Sequence, residues 1–109
     1  MSLSPFLQGI SNLQQLPRVT SATQKIIERG PNAGINGINN FLQQAQQGTA
    51  YLDKTTNNIN IFSKIPDGTK YLRVTLNPEM NRIISAGINT ARNVANGISS
   101  GRFTQITTE

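Results

Sequence analysis

The residues best suited to chemistry lie in the stretch Lys70–Leu76, where apolar and polar side chains alternate. Because successive side chains of a β-strand point to opposite faces, one face would carry only apolar side chains: Leu72, Val74 and Leu76. The other face would carry an aromatic ring, a guanidinium and a hydroxyl: Tyr71, Arg73 and Thr75. A guanidinium can donate to two phosphate oxygens, a hydroxyl to a third, and a ring can stack on a base. The stretch therefore predicts a phosphate-binding face, although spacing alone favours a half-exposed strand without a ligand.

Further cations, rings and hydroxyls lie close to this stretch. Lys64 and Lys70 flank the turn Pro66-Asp67-Gly68, and Arg102-Phe103-Thr104 repeats the combination of cation, ring and hydroxyl. Cations bind phosphates and rings stack on unpaired bases, so this mixture is typical of an RNA-binding surface. Four residues are predicted to act in catalysis: Arg73, Thr75, Lys70 and Ser85. Four more are predicted to bind RNA: Lys64, Tyr71, Arg102 and Thr104.

The position of Ser85 depends on the loop that joins Lys70–Leu76 to the next strand. A five-residue loop, Asn77–Asn81, would place Ser85 opposite Arg73. A four-residue loop would shift the register by one residue and turn Ser85 to the Leu72 face. The sequence leaves both registers open.

Composition excludes several classes of site. The chain of 109 residues has no His and no Cys, which removes thiolate metal sites, most zinc chemistry and any Ser-His or Cys-His nucleophile. Its five carboxylates do not fall at the spacing of a metal site, and no glycine-rich segment continues into Gly-Lys-Ser or Gly-Lys-Thr. We therefore expect neither a metal nor a cofactor.

Charge and polarity indicate the kind of partner. The net charge is +5, from 10 Lys and Arg against 5 Asp and Glu, so an anionic partner such as nucleic acid is expected. Asn and Gln number 13 and 9, but they are interleaved with apolar residues at regular spacing, as in a folded chain. No segment approaches the roughly 20 apolar residues of a membrane span, so no membrane insertion is expected.

The elements that position these residues follow from hydrophobic periodicity. Helical spacing predicts one helix from Ser4 to Leu16, a second from Thr20 or Ser21 to Arg29 and a third from Ile35 to Gly48. Ile26 and Ile27 are expected to form the buried side of the second helix. Residues 1–48 are thus the predicted helical part of a single domain that spans 1–109.

Residues 49–109 are the predicted sheet part, which carries the site. Period-two alternation predicts strands in this order: Tyr51–Asp53, Ile59–Ile65, Lys70–Leu76 and Arg82–Gly87. A last helix is expected from Asn89 or Thr90 to Ser99, with Val94 and Ile98 turned inward, followed by a short strand at Arg102–Ile106. The predicted class is α+β: N-terminal helices, then a small antiparallel sheet of three to five strands with one further helix.

The segment Ile59–Ile106 resembles the C-terminal nuclease domains of bacterial polymorphic toxins, including contact-dependent inhibition toxins and colicin-type ribonucleases of the barnase–EndoU–colicin–RelE superfamily. The residues that carry the resemblance fall in three groups: Asp67-Gly68 with Lys70-Tyr71-Leu72-Arg73-Val74-Thr75-Leu76-Asn77-Pro78, then Ile83-Ile84-Ser85-Ala86-Gly87, and Ser100-Gly101-Arg102-Phe103-Thr104. The absence of His departs from members that use a His pair, whereas other members cleave with Arg, Lys, Thr and Asp.

The resemblance implies metal-independent cleavage of RNA, often tRNA, in the cytoplasm of a target bacterium. It also implies delivery as part of a larger secreted or cell-surface toxin, and a cognate immunity protein that covers the site. Given the charge, we expect that immunity protein to be acidic, and we expect the domain alone to be a monomer.

Cleavage of RNA suits a chain without His, because the 2′-OH of the substrate is itself the nucleophile. The protein must hold the reacting atoms in line and stabilise charge on the phosphoryl oxygens, which Arg and Lys can do. The alternative is a module without enzymatic activity, either one that binds nucleic acid or a structural piece of a phage or secretion particle.

Overall fold

A computed structural model describes residues 13–66 and 68–106. The helix predicted from Ser4 lies outside the described residues up to position 12, and Leu13–Gln15 form a short 3-10 helix. The helices are α1 (Thr20–Arg29), α2 (Ile38–Ala45) and α3 (Ala91–Ser99), and a 3-10 turn at Pro31–Ala33 joins the first two. The strands are β1 (Thr49–Asp53), β2 (Asn58–Lys64), β3 (Lys70–Leu76), β4 (Ile83–Thr90) and β5 (Phe103–Gln105). No helix among these residues is long and apolar enough to cross a membrane.

The five strands form one sheet in the order β4-β3-β2-β1-β5, and every neighbouring pair is antiparallel. This confirms the predicted α+β class, with helices ahead of the sheet and a further helix behind it. β4 and β5 lie at opposite edges of the sheet, so α3, which connects them, crosses one face.

The other face packs against α1 and α2 and forms the main core. Leu72, Val74 and Leu76 are fully buried there with Phe41 and Leu42 of α2. The apolar face of the alternating stretch is thus the helix-covered face, as predicted. The polar face of β3 consequently lies on the side of the sheet that α3 crosses.

Helix α1 buries one isoleucine of an adjacent pair. Ile26 is 2% exposed, whereas Ile27 is 59% exposed, so the prediction that both are buried was wrong. Successive helical side chains point about 100° apart, and α1 presents only one stripe to the sheet.

A second, smaller cluster lies beneath α3. The Thr90 hydroxyl caps this helix by accepting from the N–H of Asn93 at 3.1 Å. Val94 packs with Phe62 and Phe103, and a Cβ on Gly97 would come within 2.3 Å of the Phe103 ring. Because Val94 and Gly97 face the sheet, Ile98 is turned away and is 43% exposed, contrary to the prediction.

The adjacent isoleucines of α1 provide a matched test of the core. We expect Ile26→Ala to lower the free energy of unfolding by about 3 kcal/mol, because it removes a fully buried side chain and leaves a cavity. Ile27→Ala should change it by less than about 0.5 kcal/mol, because that side chain is mostly in solvent. Urea denaturation of both variants measures the difference, and equal losses would contradict this packing.

Candidate functional site

A polar cavity of about 390 Å³ lies on the face of the sheet that α3 crosses, and we call it the sheet cavity. One side is lined by residues of β2, β3, β4 and the first turn of α3: Asn60, Arg73, Thr75, Ser85, Asn89 and Asn93. Asp53 and Arg102 line the opposite side. The cavity therefore contains two guanidinium groups, one carboxylate and a set of neutral hydrogen-bonding groups.

The Arg73 guanidinium is held entirely by neutral oxygens. Its Nε donates to Oδ1 of Asn89 at 2.9 Å, and its Nη1 donates to Oγ1 of Thr75 at 2.6 Å and to Oγ of Ser85 at 3.2 Å. The Thr75 hydroxyl in turn donates to Oδ1 of Asn60 at 2.7 Å. The network fixes the orientation of the guanidinium without neutralising its charge.

The environment lowers the pKa of Arg73. Burial of the half-buried guanidinium is the main cause, and the positive charge of Arg29 acts in the same direction. Because a guanidinium is strongly basic, the group stays charged at neutral pH despite this lowered pKa.

The Nη2 group of Arg73 has no hydrogen-bond partner among the described residues. It lies over Gly87, which is paired with Arg73 across the β3–β4 ladder. A Cβ at position 87 would come within 2.8 Å of Nη2, so only glycine leaves this space to the guanidinium. Two N–H donors are consequently available to a ligand.

A β-bulge sets the register of the β3–β4 hairpin. Thr75 is paired with Ser85 but Leu76 with Ile83, so Ile84 is an extra residue in β4. A backbone hydrogen bond from the Asn77 N–H to the Arg82 carbonyl closes a four-residue loop, Pro78–Asn81, but the bulge then returns Ser85 to the Arg73 face, so neither predicted register holds along the whole hairpin. The bulge keeps Ile83 in the main core while Ser85 faces Arg73.

Asp53 and Arg102 form a bidentate ion pair on the opposite side of the cavity. Arg102 Nε donates to Oδ1 at 3.1 Å and Nη2 to Oδ2 at 3.0 Å. Burial would raise the pKa of Asp53, but the Arg102 bonds, the N–H of Thr55 and the Arg102 charge outweigh it, so that pKa lies below its usual 3.8. Arg102 also lies over the Phe103 ring, 5.3 Å from its centroid. This carboxylate is therefore ionised and fully engaged.

The structure brings together only part of the predicted site. Arg73, Thr75 and Ser85 share one hydrogen-bond network, and Arg102 lines the same cavity. Lys70 is not brought to it: alternation puts Lys70 on the Leu72 face, where it lines a separate cavity with Arg29.

The other predicted RNA-binding residues do not line the sheet cavity. Lys64 and Tyr71 are paired across the β2–β3 ladder, and the Tyr71 ring packs edge-on against Phe62 with centroids 6.4 Å apart. Thr104 is paired with Leu52, and alternation turns it away from the Phe103 face.

Several residues of the cavity were not predicted from the sequence. The alternation of Ile59-Asn60-Ile61 carries a signal for Asn60, which falls between two core residues. Asn89 and Asn93 carried no such signal, because the predicted strand ended at Gly87 whereas β4 continues to Thr90. The pairing of Asp53 with Arg102 depends on β1 and β5 meeting, which spacing alone does not predict.

No protein-family model, curated protein or solved structure matches this chain. Within residues 13–66 and 68–106, no group of three His, Cys, Asp or Glu side chains is placed to hold a metal ion. The sheet cavity thus combines the Arg73 guanidinium, which has no carboxylate partner in the described part of the chain, with neutral hydrogen-bonding groups and the Asp53–Arg102 ion pair.

The ion pair predicts a specific dependence of stability on pH. We expect Arg102→Gln to lower the free energy of unfolding at pH 7 by about 1.5 kcal/mol, because the buried Asp53 carboxylate loses its charged partner. Because the pKa of Asp53 is depressed in the folded wild type, the contribution of the pair is present above the usual pKa and is lost as pH falls through the lowered value.

Urea denaturation at several pH values measures this effect. The gap between wild type and Arg102→Gln should narrow below about pH 4. Arg92→Gln, which changes an exposed arginine of α3, is the control and should follow the wild type. A gap that is constant from pH 7 to pH 3 would contradict the assigned ion pair.

Proposed function

We propose that this protein is a metal-independent endoribonuclease that binds a phosphodiester of RNA in the sheet cavity. The observation that carries the proposal is Arg73: a half-buried, fully charged guanidinium that lines the cavity, has only neutral partners and leaves Nη2 without a hydrogen bond among the described residues. A preorganised donor of this kind stabilises developing negative charge most effectively in a site shielded from bulk water.

Neutral partners favour a ligand-binding role for Arg73. A structural arginine at such a position would be expected to pair with a carboxylate, and the one carboxylate in the cavity, Asp53, is bound to Arg102 instead. The hydroxyls of Thr75 and Ser85 and the amides of Asn60, Asn89 and Asn93 add neutral groups of the kind that contact sugar hydroxyls and base edges.

In the proposed reaction, the 2′-oxygen of the substrate attacks the adjacent phosphorus and the bond from phosphorus to the 5′-oxygen breaks. The products are a 2′,3′-cyclic phosphate and a 5′-hydroxyl. Arg73 donates to the phosphoryl oxygens, on which negative charge increases in the transition state. Because Asp53 is engaged, the proton of the 2′-OH passes to solvent, and solvent returns one to the leaving oxygen.

The proposal includes a biological setting. The substrate is tRNA in the cytoplasm of a target bacterium, where the protein arrives as part of a larger secreted or cell-surface toxin, and an acidic immunity protein covers the sheet cavity. The net charge of +5 supports both an RNA substrate and an acidic partner.

One observation favours a second candidate, an RNA-binding module without catalysis. Among the described residues that line the sheet cavity, the one titratable carboxylate is committed to Arg102, so no side chain is free to act as general base. Incubation of the wild type with tRNA distinguishes the two: cyclic-phosphate ends support the ribonuclease, whereas binding with intact RNA supports the module.

The Arg73 side chain is the direct test of the proposed catalysis. We expect Arg73→Ala to lower the rate of RNA cleavage by about 100-fold or more, as removal of one preorganised donor does. Arg73→Lys should recover only part of this loss because a lysine lacks the bidentate fork, and Thr75→Ala should have a milder effect in the same direction. Cleavage of labelled tRNA, with the melting temperature measured in parallel, gives both activity and folding.

Gly87→Ala tests the geometry of the same guanidinium without removing it. The added Cβ would displace Nη2, so cleavage should fall at least tenfold while the melting temperature changes little, because the tip of a flexible side chain can move. Arg82→Ala and Arg92→Ala alter exposed arginines outside the cavity and serve as controls. A folded Arg73→Ala protein with full activity would contradict the catalytic assignment.

A further inference from the structure

A second cavity, of about 230 Å³, lies beside β4 at the edge of the sheet, and we call it the edge cavity. It is lined by Arg29 at the end of α1, Lys70 at the start of β3, and Asn89 and Thr90 at the end of β4. Neither the proposed chemistry nor the main core accounts for this arrangement.

The cationic side chains that line the edge cavity have no counter-charge among the described residues. Within residues 13–66 and 68–106, the lining of this cavity contains two cationic side chains and no carboxylate. Among the described residues, neither the Arg29 nor the Lys70 side chain makes a hydrogen bond or ion pair. Two like charges beside one cavity repel each other, and a bound anion would convert this repulsion into attraction.

Asn89 connects the edge cavity to the sheet cavity. This residue lines both, and its Oδ1 accepts from Nε of Arg73. Ser85 and Asn89 line the sheet cavity, whereas Ile88 and Thr90 line the edge cavity, so the two cavities flank edge strand β4. The electrostatic effect of Arg29 on Arg73 is consistent with this proximity.

We propose that the edge cavity binds a second phosphate of the same RNA strand, next to the phosphate at Arg73, with Arg29 and Lys70 as its ligands. The nucleotide strand would pass over β4 at Asn89. This inference rests on the proposed function, since it assigns to the same substrate a further subsite. It also gives Lys70 a binding role outside the sheet cavity.

Binding of uncleavable oligonucleotides tests this subsite separately from catalysis. The ligands are an all-2′-deoxy trinucleotide with two phosphodiesters and two analogues of equal length, in each of which one linkage is a neutral methylphosphonate. The proteins are the wild type, an Arg29→Gln/Lys70→Gln double variant and an Arg82→Gln/Arg92→Gln double variant with the same net charge. Titration calorimetry at low and moderate salt measures the dissociation constants.

We expect the second charged linkage to strengthen binding to the wild type about tenfold over the tighter analogue, as for one charge-assisted contact. The gain in affinity from the second charged linkage should fall below about twofold in Arg29→Gln/Lys70→Gln. It should persist in Arg82→Gln/Arg92→Gln. The slope of log affinity against log salt for the full ligand should also fall by about 0.7, because one phosphate is no longer neutralised.

The outcomes separate the two proposals. An undiminished gain in Arg29→Gln/Lys70→Gln, or no gain in the wild type, would overturn the second subsite. If inorganic phosphate shifts the Lys70 NMR signal but the trinucleotide does not, the edge cavity is an isolated anion site and the inference also fails. Failure of the proposed function would appear in a different measurement, as intact tRNA after incubation with the wild type or as full cleavage activity of a folded Arg73→Ala protein.

Discussion

The hydrogen bonds that hold Arg73 against the sheet are the interaction on which the site depends. A half-buried guanidinium loses hydration, and here neutral oxygens rather than a carboxylate compensate for that loss. Asn89, Thr75 and Ser85 each supply one acceptor. Because none of them carries a charge, Arg73 retains its positive potential for an anion in the cavity.

The fold supplies these acceptors from distant parts of the chain. The bulge at Ile84 lets β4 bury Ile83 in the main core and still direct Ser85 toward Arg73. Helix α3 crosses the sheet and closes one side of the sheet cavity. Asn93, in the first turn of this helix, accepts a hydrogen bond from the Asn89 amide at 2.9 Å. On the far side, the ion pair of Asp53 and Arg102 keeps the single carboxylate of the cavity away from Arg73. The same strands therefore bury apolar side chains on one face of the sheet and present polar side chains to the cavity on the other.

The sequence predicted those features that depend only on the spacing of apolar and polar residues along a single element. Strand alternation placed Arg73 and Thr75 on one face and the apolar residues of β3 on the other, and the same alternation, applied to Lys70, would have placed it with Leu72. Features that depend on contacts between distant segments were not predictable. The bulge at Ile84, the extension of β4 to Asn89 and the pairing of Asp53 with a residue 49 positions away arise only when the sheet assembles. Helical period likewise could not show which isoleucine of α1 faces the sheet, because that depends on how the helix is rotated against it.

The most direct test of the central claim is to observe the arginine side chains while a phosphodiester binds. In ¹⁵N-labelled protein, the Nε signals of Arg73 and Arg102 can be followed by NMR as an uncleavable 2′-deoxy dinucleotide is added. We expect the Arg73 signal to shift saturably with the ligand, whereas the Arg102 signal should move little because its guanidinium stays paired with Asp53. A saturable shift of Arg102 or of exposed arginines, with the Arg73 signal unchanged, would contradict the role assigned to Arg73.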